Sequence, residues 1–587
     1  MSAPETAVTM APEAARRTRR NAAVLALQAA FREDRFFLML SVFIGIFAGL
    51  IVVCFRLAID WCNIFLLGPV PHAYSVRLLI APVVVSFVVA VLVLHVFRGV
   101  RGSGVNQTKA ALYISNGLIP LRTSIGKLIT ATLAIGSGHS LGPEDPSLQI
   151  GAGLASFLGR KLNLSRDKQR LIAPVGAAAG LAAAFNAPIS AVLFVIEEVI
   201  GRWSAGILGS VVLGAVSSVV VVRWFLGSEP LFRIPAVALA RPQELIAYSV
   251  LGIVGGLASV VFARAMGNFS RQLRAWPRWT HYFQPSAGGF LIGLIGFLGA
   301  PQVMGAGYNY IDQAMHDQFT WKFLLILAGL KIVATTLSFS SGTPGGMFAP
   351  TLFVGAMLGG AVGGAERHFF PHLTGSTATY ALVGMGVLFA GFLRVPMTSV
   401  FMVLEVSGNY SIILPVIVAN TFAYVISRSL QPVPIFDLLT RQDGLQLPSL
   451  EEQREETVLR VEDAMQDLDG PLLSSDDTVD AALRRIQDAR QDAFLVQIRP
   501  AGWNTVTRDL LRKLNGEGKG ELSLLTVLPV RQIPHLFPDL PLDVALRFIN
   551  RVPMIPVVNR ADLSKLEGIV SSDAVLKRYQ SDREPID

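Results

Sequence analysis

The sequence is short of charge. Of its 587 residues only 16% are Asp, Glu, Lys or Arg, against 52% hydrophobic residues. The mean hydropathy is +0.51. A soluble protein of this length must cover its surface with polar groups, and so few charges cannot do it. Cysteine is scarce too. Cys54 and Cys62 are the only two, both in the first apolar segment, so no disulfide framework or cysteine metal site follows. The charges are also unevenly spread. Long stretches between 36 and 439 carry almost none, whereas 451–587 reads like an ordinary soluble domain. One large membrane domain followed by one cytosolic domain is therefore expected.

The net charge of +8 does not call for nucleic acid, because Arg16, Arg17, Arg19 and Arg20 gather just ahead of the first span. Basic residues there hold an N-terminus on the cytoplasmic side. Residues 21–31 are not a signal segment, since Arg32, Glu33, Asp34 and Arg35 follow them. They read as a short amphipathic helix on the inner surface.

Spanning segments are expected at 37–55, 78–97, 207–222, 245–263, 290–298, 324–337 and 414–426. Several fall short of the ~20 residues a perpendicular span needs, so their ends extend into polar flanks. Between them, 102–113, 142–162, 176–199 and 345–364 are apolar but interrupted by Gly and Pro. Irregular backbone at membrane depth is tolerated only where protein buries it or water fills a cavity, which points to a transport pathway.

The membrane domain contains a repeat. At an offset of 204, Lys127 meets Lys331, Thr132 meets Thr336, Gly138 meets Gly342, Gly142 meets Gly346, Pro146 meets Pro350 and Gly151 meets Gly355. At an offset of 208, Gly176 meets Gly384, Pro188 meets Pro396 and Glu197 meets Glu405. Shared small-residue composition explains glycine pairs but not the Lys and Glu pairs. Two related halves follow, about 37–230 and 242–440. Transporters built this way hold their site where broken helices of both halves meet. The repeat is visible in the sequence; its inversion is not.

Three Gly-rich segments precede helical stretches: Gly102-Ser103-Gly104-Val105-Asn106, Gly142-Pro143-Glu144-Asp145-Pro146, and Gly345-Gly346-Met347-Phe348-Ala349-Pro350. Each reads as a helix N-terminus inside the membrane. Free N–H groups and partial positive charge at such ends suit an anion, and hold it loosely enough to leave. Ser103 adds a hydroxyl donor, or simply caps its own helix. Glu144 is a carboxylate at membrane depth, a functional candidate by default. At a helix N-terminus it would take the place of an anion, and protonation would release it, making it gate and proton carrier at once; the alternative is a structural cap. Asp145 reads as a cap. Glu197 and Glu198 point in different directions. One can pair within the protein while the other reaches water and passes protons toward Glu144; both can equally be interfacial acids. Lys127 and Lys331 are expected to satisfy backbone carbonyls or these acids.

These motifs, with the run from Phe185 to Glu198 and Pro434-Ile435-Phe436-Asp437-Leu438-Leu439, resemble the CLC family of chloride channels and proton–chloride exchangers. The resemblance covers nearly all of 36–440, in the family's order. It implies an all-α polytopic membrane domain of two inverted halves with broken, tilted helices, in a homodimer with one pore per subunit. It implies that Ser103, Gly104 and the backbone of Met347 and Phe348 hold chloride. It also implies that Glu144 gates and that Glu198 transfers protons. Phe436 stands where the family often has a tyrosine against the ion, which would loosen coupling. Asn106 stands where a proline is common, and Pro143 and Asp145 where the family has arginine and glycine around the glutamate. Serine at 103 resembles the chloride-selective members.

The tail, 461–587 after a linker at 441–460, contains two similar stretches. Each runs helix, strand, strand and then Thr507-Arg508-Asp509 or Ser571-Ser572-Asp573. This resembles a tandem pair of CBS modules, an α/β cytosolic domain. Such pairs often bind adenine nucleotides, but the aspartate commonly lies three residues after the Ser/Thr and here lies two after. That leaves a structural or dimerising role at least as well supported. No other cofactor is expected. Proton-coupled chloride exchange is the leading expectation, in the cell (inner) membrane with both termini cytoplasmic. The alternatives are a passive chloride channel, a CBS-bearing divalent-cation transporter, and a hydrolase using the Gly138-His139-Ser140-Leu141-Gly142 pattern.

Overall fold

The computed structural model describes residues 11–445 apart from 202–204, 229–231, 233–243 and 371–375, then 447, and 459–581 apart from 490, 499–501, 529–532, 550–551 and 561. The chain divides into two compact units, Met1–Leu450 and Glu451–Asp587. The expected linker at 441–460 lies largely outside the described residues.

The first unit is helical. Its first half holds α1 (Ala11–Leu67), α2 (Val76–Val91), α3 (Gly104–Ile114), α4 (Leu121–Gly136), α5 (Glu144–Lys161), α6 (Arg166–Phe185), α7 (Pro188–Phe194) and α8 (Ala205–Leu226). Its second half holds α9 (Glu244–Ala275), α10 (Gln284–Phe297), α11 (Tyr308–Met315), α12 (Trp321–Ser340), α13 (Phe348–Phe369), α14 (Thr377–Leu388), α15 (Pro396–Ser407), α16 (Ile413–Leu430) and α17 (Ile435–Gln442). Among the described residues, seven helical segments are long and apolar enough to cross a membrane. This is an integral multi-pass membrane protein.

Three expectations change. The 21–31 segment is not a separate helix, because α1 runs unbroken over 57 residues into the span; its side chains there lie outside the described residues. The expected span at 290–298 belongs to α10, only 14 residues long, while α13, expected to be broken, is a full 22-residue helix. The glycines of α13 serve packing. A Cβ on Gly355 would stand 2.3 Å from the Gly384 carbonyl of α14, and one on Gly151 of α5 would stand 2.2 Å from the Gly176 carbonyl of α6. Backbone touches backbone at both places, as small-residue membrane interfaces allow.

Those two contacts are the same contact in the two halves, and the halves also bond reciprocally. Gly142 N donates to Gly346 O at 2.8 Å, and Gly346 N donates to Gly142 O at 2.9 Å, in an antiparallel bridge. The Glu197 carboxylate accepts from Met397 N at 3.1 Å and Thr398 N at 2.9 Å, at the start of α15. The Glu405 carboxylate accepts from Ile189 N at 2.9 Å and Ser190 N at 2.8 Å, at the start of α7. A donor–acceptor pattern that maps onto itself when the halves are exchanged requires a local two-fold axis. The two halves therefore meet symmetrically at this junction.

The second unit carries two modules in the expected order. In the first, the helix Val479–Arg485 precedes β2 (Ala493–Ile498) and β3 (Gly502–Thr507), antiparallel to each other, with β1 (Leu473–Ser474) parallel to β2. The helix Arg508–Gly516 follows. In the second, the helix Asp543–Ile549 precedes antiparallel β4 (Met554–Val558) and β5 (Leu566–Ser571), then the helix Ser572–Ser581. Leu495 and Trp503 of the first pack with Met554, Val558 and Ile569 of the second, so one apolar layer joins them.

Candidate functional site

Four helix ends build the site. At the start of α3, Ser103 has extended backbone and its Oγ accepts from Val105 N at 3.2 Å, an N-cap. The same hydroxyl donates to Asp145 Oδ2 at 2.8 Å, and Val105 N donates to Asp145 Oδ1 at 2.9 Å. Ser103 was expected to offer its proton to chloride; here a buried carboxylate from α5 takes it. Gly104 admits that carboxylate, since a Cβ there would lie 2.8 Å from Asp145 Oδ1. Asp145 is thus a cap, as expected, but of α3 rather than of its own helix.

Glu144 is the first residue of α5 and is wholly buried. The reciprocal Gly142–Gly346 bridge brings the starts of α5 and α13 together. A Cβ on Gly142 would fall 2.2 Å from Glu144 Oε2 and 3.1 Å from Ala349 N. The carboxylate therefore curls into the gap between the two N-termini, where two sets of helix dipoles point their positive ends. Neither of its oxygens completes a hydrogen bond of normal geometry. Met347 and Phe348 are buried at the α13 start, within the same junction.

Glu198 follows α7 in a single π-helical turn, Val195–Ile200, a feature common at functional sites. Its Oε1 lies 3.0 Å from Lys109 Nζ of α3, which lies 3.1 Å from Asp437 Oδ1 of α17. Two carboxylates share one ammonium, all three side chains nearly shut off from solvent. The trio carries one uncompensated negative charge, and one proton neutralises it. Glu197 and Glu198 do point apart, but both pair within the protein.

Between these acidic ends lie phenylalanines. The Phe348 ring centroid is 4.9 Å from that of Phe194, 5.5 Å from Phe389 and 6.3 Å from Phe436. Phe348 adjoins Ala349 at the Glu144 end, and Phe436 adjoins Asp437 at the Glu198 end. Asn106 Nδ2 donates to the Phe436 carbonyl at 3.0 Å, tying α3 to α17. Lys127 holds the Val100 and Gly102 carbonyls at 3.0 and 2.6 Å, and Lys331 holds Val303 and Gly305 at 2.9 and 2.7 Å. Both lysines serve carbonyls, the first of the two roles expected.

Three charged residues joined the site without being read from the sequence: Lys109, Asp437 and Arg56. Arg56 lies in the membrane part of α1, half-buried, interacts electrostatically with Asp60 and Glu144, and makes no ion pair among the described residues. Each is a charge inside an apolar segment, and that was the available signal. The Gly138–Gly142 pattern is not a nucleophile turn. It joins two helices, and the buried Ser140 Oγ bonds Thr335 Oγ1 at 2.9 Å, while His139 bonds Ser86.

Comparison with known proteins bears on this geometry. The family model described as voltage gated chloride channel matches residues 85–428. The H(+)/Cl(-) exchange transporter ClcA of Salmonella arizonae is 31% identical over 433 residues, covering 70% of this chain and 90% of that protein. The protein of the same name from Salmonella paratyphi B gives the same identity and coverage. The chain belongs to the voltage-gated chloride channel family. Solved structures place its fold in this family as well. A slow cyanobacterial Cl−/H+ antiporter aligns with a TM-score of 0.63 at 24% identity, over 72% of this chain and 98% of the other. A eukaryotic CLC transporter aligns at 0.61 and 19% identity, over 92% of this chain and 97% of the other. In this CLC chain the tail residues 526–581 match the CBS domain model, and the module before them repeats its element order.

Proposed function

We propose that this protein exchanges chloride for protons across a membrane, with Glu144 as the protonatable gate. The observation that carries the reading is the Glu144 carboxylate, buried against the backbone N–H groups of Glu144 and Ala349 where the starts of α5 and α13 converge. Converging N-termini favour an anion without a full positive charge that would trap it. A carboxylate lodged there excludes chloride; protonated, it loses its hold and opens the path. The names of the ClcA relatives support the coupling of chloride to protons.

Chloride takes the α13 start, at Met347 and Phe348, with Ser103 and Gly104 across from it and Phe436 as an apolar wall. Asp145 holds the Ser103 hydroxyl in the structure described, so it acts as a resident anion that chloride displaces to reach that donor. Glu198 receives protons at the far end, its neutralisation leaving Lys109 and Asp437 as a balanced pair. The chain works as a homodimer in the cell (inner) membrane with both termini cytoplasmic, and the tail is regulatory or structural.

The test uses purified protein in liposomes. A chloride gradient is imposed at clamped voltage while external pH is recorded, for the native chain and for Glu144→Gln. Uphill proton movement that Glu144→Gln abolishes, with chloride still flowing, supports the reading. Chloride flux without proton movement in the native chain makes this a passive channel, the outcome Phe436 would favour, and removes the role given to Glu198.

A further inference from the structure

Where α9 ends and α10 begins, the chain makes a turn rich in aromatic and basic residues that the transport reading does not use. Trp276, Trp279 and Phe283 are each more than half exposed there. With Leu273, Leu291 and Leu337 they line an open, almost wholly apolar cleft of about 350 Å³ between α9, α10 and α12. Tryptophan at the end of a span marks the level of lipid headgroups.

A cluster of cations rims the cleft. Arg101 Nη1 lies 3.3 Å from His281 Nδ1. A Cβ on Gly342, next to the cleft residue Ser341, would stand 2.4 Å from Arg101 Nε. Burial first, and then Arg101 and Arg278, hold the His281 imidazole below its ordinary range. Arg274 and Asp443 form an ion pair, so one acid answers three arginines. Arg278 is exposed between the two tryptophans and has no ion-pair partner among the described residues.

We infer that this cleft is a binding site for an anionic phospholipid, one acyl chain lying along Leu273, Leu291 and Leu337 and the phosphate meeting Arg278 beside Trp276 and Trp279. An apolar cleft alone would accept any lipid; the unbalanced positive charge on its rim selects a negative headgroup. Trp276 and Trp279 suit the boundary, with an apolar ring body and a polar N–H. The inference is independent of Glu144 and of whether chloride moves with protons.

Native mass spectrometry of the full chain in detergent tests it, with phosphatidylglycerol and phosphatidylcholine of the same acyl chains added in equal amounts. The wild type retains phosphatidylglycerol in preference. Arg278→Gln lowers that preference about fivefold, the loss of one interfacial arginine. Ala287→Trp, which fills the cleft from an exposed position on α10, lowers retention of both lipids. Arg367→Gln, an exposed arginine at the end of α13, changes neither, and gel filtration of each variant checks that it is folded. Equal retention of the two lipids by the wild type overturns the headgroup assignment. Unchanged retention in Ala287→Trp, or full displacement of phosphatidylglycerol by glycerol phosphate, overturns the acyl seat.

Discussion

Asp145 holds the donors that the proposed function gives to chloride. The Ser103 hydroxyl and the Val105 N–H at the start of α3 are both given to that carboxylate. A hydrogen bond to a charged group contributes about 1.5–3 kcal/mol net, so removing the resident anion frees donors for an external one. Asp145→Gly is expected to tighten chloride binding about tenfold by isothermal titration calorimetry, the lower end of that range. Unchanged affinity would separate Ser103 from the anion path. Glu144 stood out in the sequence because a carboxylate is costly in a Gly- and Pro-rich apolar stretch, and the structure buries it at the start of α5. Lys109 and Asp437 did not, although Asp437 stands inside a quoted motif and Lys109 just beyond one. They lie 328 positions apart, and no local pattern announces that they meet. Asp145 was read as a cap, but sequence neighbours cannot reveal that the helix it caps is α3.

At the level of elements, the two carboxylates that close α7 and α15 onto each other carry the repeat. Glu197 holds the start of α15, and Glu405 holds the start of α7. Loss of a side chain that satisfies helix-start N–H groups costs about 1–2 kcal/mol. Glu197→Ala and Glu405→Ala are each expected to lower the thermal unfolding midpoint in detergent by similar amounts. Markedly unequal shifts would mean that the two contacts are alike in geometry only. The offsets of 204 and 208 made the repeat readable, since Lys and Glu coincidences are rare among membrane helices. The symmetric contact between the halves became readable only in the structure, where Gly142 and Gly346 exchange bonds. Helix lengths were read less well. Glycine along α13 looked like interruption, yet it is what lets α13 and α14 touch backbone to backbone. The basic and acidic residues at 32–35 looked like a boundary, yet α1 continues through them.

For the whole molecule, the division into two units has a thermodynamic consequence. The tail has apolar clusters of its own, with Trp503 buried in the layer that joins its modules and bonded to Leu563 O at 3.0 Å. Units with separate cores unfold separately. Calorimetry in detergent is expected to show two transitions, and Trp503→Ala to lower only one of them, by about 3–5 kcal/mol. A single transition, or a shift in both, would make the chain one cooperative body. The division itself was plain in the composition, since charge returns at 451 and stays. The reciprocal bridge at the heart of the first unit carries a history as well. A contact that maps onto itself under exchange of halves is the contact that two separate, identical half-length chains would make. Duplication and fusion of such an ancestor would free each copy to diverge while the bridge stayed. At the 204 offset Glu144 corresponds to Phe348, so one copy kept an acid at the shared junction and the other a ring. That divergence makes the two sides of a symmetric bridge chemically unlike.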